Sequence, residues 1–339
     1  MTKCNAFSKK SLSIGLVLVI ILSSWAAAQD ASLEERNKAT VRLLKESQIT
    51  PETDEVNARL LAPNYDRQRG GFGNLAANAN GQDFPSNGKN LRGSFPDRTD
   101  TILEMIAEGD RVGMLFKVEG THKSDFFGIP ATGRVMDVFE LGTYKLANGQ
   151  IIEARFMADE EATLKQLRVK FPIRKDGDLI LPKIRDDGEA PDALLNRLLA
   201  MPQKTQADRN KIAVVRSMIS PASADVYAVD YRLERAPFQH LVEYGRAHSA
   251  EDKTLDLALS DRHDKIDFLI AEDNIVWVQY TISGINTNSI YGLPVSNNRV
   301  GVTVVGILRL DDGKLKEGWF LGDGLGLLQQ LGVPSALVE

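Results

Sequence analysis

The sequence predicts an α+β fold in two tandem copies, each a curved antiparallel sheet packed with helices into a cone-shaped barrel. Three observations carry this prediction. The stretch from Ile106 to Leu167 returns without a gap as Ile270 to Leu331, at an offset of 164 residues. Before each sheet the apolar residues follow helical spacing, and from Thr101 the period changes to two. Asn148-Gly149 and Asp312-Gly313 stand at the same place in the two copies, and both serve a hairpin turn whose two central residues need positive φ. A repeat of domain size means two domains of one fold, not a solenoid. The length of 339 residues agrees with about two domains.

Taken in order, the chain opens on a targeting segment, residues 1–28. Lys3, Lys9 and Lys10 precede an apolar run from Leu12 to Trp25, and Ala26 and Ala28 mark a cleavage site. Export to the periplasm or medium is expected, with a mature start near Gln29. A retained anchor is the alternative, and the apolar run is short for one. The single cysteine, Cys4, lies inside this segment, which leaves the mature chain without a thiol or disulfide. The first domain spans residues 30–168. Glu34 to Ser47 reads as a helix capped by Ser32, and Pro51 to Leu61 as a second, capped by Thr50 and stopped by Pro63. Asn64 to Asn90, rich in Gly and Asn, reads as a long loop. A meander of long antiparallel strands follows, with Val112, Met114, Phe116 and Val118 alternating along one of them, and a short helix from Glu160 to Leu167 closes the domain. Residues 169–206 read as an interdomain connection, with an apolar, helix-like run from Asp192 to Met201. Residues 207–339 form the second, degenerate domain, in which Asn210-Lys211 echoes Asn37-Lys38.

Composition excludes some functions. The net charge of −5 and the absence of a basic stripe argue against nucleic acid. His240, His248 and His263 show no metal-ligand spacing, so neither metal nor cofactor is expected. Gly322, Gly324 and Gly326 imitate a dinucleotide fingerprint, but Leu327 stands where its third glycine belongs. A cone closed on one side by helices offers an apolar pocket, a usual place for a small ligand.

The runs AEGDRV, GTHKSDFFGIPATGR and YKLANGQIIE in the first copy, and DDGKLKEGWFLGDGLGLLQQLG in the second, resemble the SnoaL-like polyketide and ester cyclases of the nuclear-transport-factor-2-like superfamily. The resemblance implies a pocket for a small apolar carbonyl compound and, in some members, an Asp acting as general acid/base. By position that Asp falls on Asp159 and Asp323, and the His of the GTH run on His122. The family's frequent His-Trp pair is replaced by Ala154-Arg155 and Gly318-Trp319, and the second copy has Asn286 for His122 and Asn297-Asn298 for the TG pair.

Each candidate has an alternative role. Asp159 and Asp323 also suit helix N-caps. His122 suits either a proton shuttle or an exposed hairpin loop. Glu140 stands where the second copy has Val304, which makes it a pocket candidate. Tyr144, Phe116, Phe156, Asp323 and Trp277 complete the candidate binding set. Ile275, Trp277, Gln279 and Thr281 lie opposite Val276, Val278, Tyr280 and Ile282, so this strand needs cover on both faces. That predicts sheet-to-sheet pairing of the two copies as an intramolecular pseudo-dimer, with a homo-oligomer left open. An exported enzyme and an exported binding or assembly protein are the two functional readings.

Overall fold

The structure, a computed structural model, describes residues 32–48, 50–81, 88–220, 225–248 and 255–338. The expected signal segment lies outside them. The first domain runs α1 (Leu33–Ser47), α2 (Thr53–Leu60), β1 (Leu61–Arg69), α3 (Gly73–Asn80), α4 (Gly88–Ser94), β2 (Thr99–Glu108), β3 (Arg111–Thr121), β4 (Val135–Ala147), β5 (Gln150–Ala158) and α5 (Glu160–Leu167). The connection holds α6 (Pro191–Leu199). The second domain follows with α7 (Gln206–Ile219), β6 (Tyr227–Arg235), α8 (Gln239–His248), α9 (Leu255–Ala258), β7 (Leu259–Glu272), β8 (Ile275–Asn286), β9 (Arg299–Asp311), β10 (Lys314–Gly322) and α10 (Gly324–Gln330). The sheet orders are β1-β5-β4-β3-β2 and β6-β10-β9-β8-β7. Two helix-packed five-stranded sheets of one topology are the tandem α+β fold expected.

Local chemistry sets the boundaries. Ser32 Oγ accepts from Glu35 N at 3.1 Å and starts α1. Thr205 and Asp208 form a reciprocal capping box at the start of α7. Asn148 and Gly149 take φ of 52° and 77°, and Asp312 and Gly313 take 46° and 74°, the double positive φ that the hairpins demand. Asn37 Nδ2 and Asn210 Nδ2 each donate, at 2.9 Å, to the turn after the first long strand, at Gly109 O and Asp273 O. The two leading helices thus dock identically on their sheets.

Three expectations are corrected. The sheets are not pure antiparallel meanders, because β1 pairs in parallel with β5, and β6 with β10. Nor is Asn64 to Asn90 a loop, since it contains most of β1, all of α3 and the start of α4. The segment reads as loop because its polarity looks solvent-bound. In the fold, β1 is an edge strand, where polar residues are tolerated. Gly73 to Asn78 of α3 are buried, and their asparagines bond inward. Asn74 Nδ2 donates to Glu160 Oε2 at 2.7 Å and to Asp323 Oδ1 at 2.6 Å, and Asn78 Nδ2 to Pro172 O at 2.7 Å. The second helix also begins later than expected, at Thr53 with Glu52 as its N-cap residue.

Each sheet is apolar on both faces. One face packs on its own helices. The other faces meet, with Ile106, Leu115, Leu141 and Met157 against Phe268, Ile270, Trp277, Val305, Ile307 and Leu321. Several polar contacts exchange between equivalent positions of the two copies. Lys38 Nζ lies 2.6 Å from Glu272 Oε1, and Lys211 Nζ 2.5 Å from Glu108 Oε1. The second oxygens accept from Ala107 N at 2.8 Å and Ala271 N at 2.9 Å. Arg69 Nη2 reaches Asp323 Oδ2 at 3.3 Å, and Arg235 Nη2 reaches Asp159 Oδ2 at 2.5 Å. This reciprocity is that of an isologous interface, formed here within one chain.

Candidate functional site

The helix-facing side of the first sheet holds a cavity of about 110 Å³. Its apolar walls include Leu44, Phe72 and Phe156, and its polar lining includes Lys45, Tyr65, Arg67, Arg98, Glu140 and Tyr144. Helix α1 places Lys45 one residue after Leu44, on the face turned to the sheet. Its ammonium sits 3.4 Å above the centre of the Phe116 ring and 2.8 Å from Asp100 Oδ2. Arg98 grips the same carboxylate in a fork, Nε to Oδ1 and Nη2 to Oδ2, each at 2.7 Å. Burial, reinforced by the Arg98 charge, pulls the Lys45 pKa down to about 8. Burial alone would raise the Asp100 pKa, but the charges of Lys45 and Arg98 outweigh it and hold that carboxyl low.

Glu140 comes from β4, paired with Phe116 of β3 and Ala158 of β5. Its carboxylate rests against Gly71, where a Cβ would lie 2.0 Å from Glu140 Oε1. Glycine is required there for that close approach, while its carbonyl anchors Ala158 N at 2.7 Å. Burial raises the Glu140 pKa, and Lys45 and Arg98 only partly offset it. Burial also pushes the Tyr144 hydroxyl well above its ordinary value. A buried acid of raised basicity beside two or three cations is an arrangement suited to proton transfer on a polarised substrate.

Of the candidates named from sequence, the structure brings Glu140, Tyr144 and Phe156 together around this cavity, with Phe116 beneath Lys45. It does not bring His122 or Asp159 there. His122 is fully buried rather than on an exposed loop. It stacks on Phe95 at 5.2 Å, with Nδ1 3.1 Å from Thr132 Oγ1, and burial lowers its pKa. Asp159 caps α5, its Oδ1 accepting from Ala162 N at 3.1 Å, and its Oδ2 is held by Arg235 of the other domain, with His240 Nε2 at 3.4 Å. Burial opposes its ionisation, but the His240 hydrogen bond and the Arg235 charge prevail and lower its pKa. Asp323 caps α10 through Gly326 N at 3.1 Å and lines the cleft between the domains. Trp277 is a core residue of the sheet-to-sheet interface.

Sequence reasoning missed Lys45, Arg67, Arg98 and Asp100. The signal was an internal one. The docking of α1 and α7 pairs Lys45 with Met218, and the register of β1 and β6 pairs Arg67 with Leu233. With Val304 for Glu140 and Leu308 for Tyr144, the second domain has apolar residues at all four positions. It keeps the frame, however, since Arg262 grips Asp264 with the same fork, at 2.8 and 2.7 Å.

A family model described as SnoaL-like polyketide cyclase matches residues 73–167 and 224–331, together more than half of the chain. The chain belongs to the SnoaL-like polyketide cyclase family. Similar solved structures include a candidate SnoaL-like polyketide cyclase from Jannaschia sp. CCS1, at 24% identity over 41% of this chain and 96% of that one, with a TM-score of 0.34. IdmH, a candidate polyketide cyclase from Streptomyces antibioticus, matches at 26% identity over 39% of this chain and 99% of its own, with a TM-score of 0.34. A candidate polyketide cyclase from Acidithiobacillus ferrooxidans matches at 21% identity over 41% and 98%, with a TM-score of 0.34. No curated protein matches. SnoaL-like membership supports a cyclase-like or ligand-binding role.

Proposed function

We propose that the first domain binds a small carbonyl compound in its cavity and moves a proton from and back to the carbon beside the carbonyl through Glu140, in the manner of an ester or polyketide cyclase. The observation that carries this reading is the divergence of the two copies at the cavity. Lys45, Arg67, Glu140 and Tyr144 are replaced in the second copy by Met218, Leu233, Val304 and Leu308, while the Arg-Asp frame is kept. A charged set that the fold itself does not need points to a task beyond folding.

In this reading Glu140 is the base. Its burial favours the neutral form, so its carboxylate takes a proton readily. Lys45 and Arg67 supply positive charge for the oxygen of the enolate that forms. The rate rises with pH as Glu140 ionises, at a pKa above its ordinary 4.5. It falls near about 8 as Lys45 loses its proton. The test is exchange of α-protons for deuterium in a panel of β-keto esters and ketones, followed by NMR. Glu140→Gln is expected to slow exchange about 10²- to 10⁴-fold, and Lys45→Met to remove the falling limb. Unchanged exchange in Glu140→Gln leaves the second reading, ligand binding without chemistry, which the engagement of Lys45 by Asp100 favours.

The segment before Leu33 motivates a companion proposal, export through a cleaved signal peptide. Sequencing the N-terminus of extracytoplasmic material should give a start near Gln29. An intact Met1 there excludes cleavage.

A further inference from the structure

We propose that the cleft between the two domains is a binding site for a small oxyanion, a carboxylate or a phosphate, held through Arg67 and Thr281. The cleft measures about 420 Å³ and is separate from the proposed catalytic cavity except for Arg67, which lines both. Its walls are β1 and the start of α3, strands β8 and β9 of the second sheet, and residues 180–185 of the connection. Five cations line it, Arg67, Arg69, Arg155, Lys183 and Arg185, against two acids, Asp66 and Asp323.

Most of these groups have fixed partners. Arg69 Nη2 lies 3.3 Å from both Glu160 Oε2 and Asp323 Oδ2. Arg155 Nη1 and Arg185 Nε share one carboxylate oxygen, Asp267 Oδ2, at 2.9 and 3.2 Å. Arg185 also pairs with Asp187, at the outer edge. Burial pulls the Arg155 pKa down to about 10, opposed by the charge of Asp267 and aided by those of Arg185 and Arg69.

Two donors remain unmatched. Among the described residues Arg67 makes no hydrogen bond or ion pair; it lies over the Phe156 ring at 4.9 Å, its charge acts on Glu140 across the cavity, and its Nε is buried without a partner. Thr281 is 3% exposed and its Oγ1 has no partner. Buried polar groups are almost always bonded. A guanidinium and a hydroxyl without hydrogen-bond partners, both lining one cationic cleft, are the donors that a carboxylate or phosphate takes. The fold does not require Arg67, because Leu233 holds its place in the second domain. Both domains build the walls, so the site is a property of the tandem chain.

The test is calorimetric titration of the full chain with inorganic phosphate and, separately, with citrate, in sodium chloride of matched ionic strength. Saturable binding of either anion is expected. Phosphate alone assigns the site to phosphoryl compounds, and citrate alone to carboxylates. Arg67→Leu, which installs the second domain's own residue, and the near-isosteric Thr281→Val should each weaken binding about tenfold. Circular dichroism and the Tm in chloride verify that both variants fold. No heat beyond the chloride control for either anion, or wild-type affinity in both variants, overturns the proposal.

Discussion

Replacing Trp277 with alanine is expected to lower the unfolding free energy by about 3–5 kcal/mol, among the largest effects of any single truncation in the chain. Trp277 is wholly buried where the two sheets meet. Its place across the interface is Gly113, where a Cβ would come within 2.7 Å of the indole. Gly113 is also the residue that occupies the position of Trp277 in the other copy. One copy thus fills the interface with a ring, and the other makes the space for it. Two tryptophans would collide there, and two glycines would leave a void. The interface is therefore two-fold in its Lys38–Glu272 and Lys211–Glu108 pairs and in its Arg69–Asp323 and Arg235–Asp159 pairs, and one-sided at its heart. Gly113→Ala should cost about 1–3 kcal/mol by overpacking in the natural chain. In the Trp277→Ala background the same change should cost almost nothing, since the ring it meets has gone. Urea unfolding of the four chains measures the coupling. Additive losses would mean that the two residues do not meet.

The readable part of the fold was the part fixed by periodicity and turn chemistry. The gapless repeat, the alternating strands and the Asn-Gly and Asp-Gly turns specify two sheets of one kind, because those signals are local. Strand β1 and helix α3 were hidden, because their stabilising bonds are distant in sequence. Asn74 looks like a loop residue until Glu160 and Asp323 are placed beside it. The same holds at the site. Glu140 was legible as an acid where the sister copy has valine. Lys45 carries a weaker signal, a lysine next to Leu44 on an apolar helical stripe. The Arg98–Asp100 fork recurs as Arg262–Asp264 at the same 164-residue offset, so the repeat extends upstream of Ile106. Asp159 illustrates the limit. Sequence could offer it as base or cap, but not as the ion-pair partner of an arginine 76 positions away.

That pairing supports the second large effect. Arg235→Met should cost about 3–5 kcal/mol at neutral pH, because it strands a buried carboxylate. In the natural chain Arg235 bonds Asp159 Oδ2 at 2.5 Å and Phe320 O at 2.6 Å. With His240 it outweighs burial and holds the Asp159 pKa below its ordinary 3.8. The carboxylate then contributes stability above pH 3.8, which is lost as pH falls through the lower folded value. Removing Arg235 takes away one of the two groups that oppose burial and leaves His240 alone with the cap. Asp159 should then titrate higher than in the natural chain, and the deficit of Arg235→Met should shrink as the solution is acidified. Adding Asp159→Asn removes the stranded charge and keeps the cap on α5, since Asn caps about as well as Asp. The double variant should therefore recover most of the loss at pH 7 and show little of the pH dependence. Urea unfolding at pH 7 and pH 4.5 distinguishes the outcomes. If the single and double variants lose the same stability at pH 7, the cost lies in the packing of Arg235 beside Trp319, 5.4 Å away, and not in the charge of Asp159.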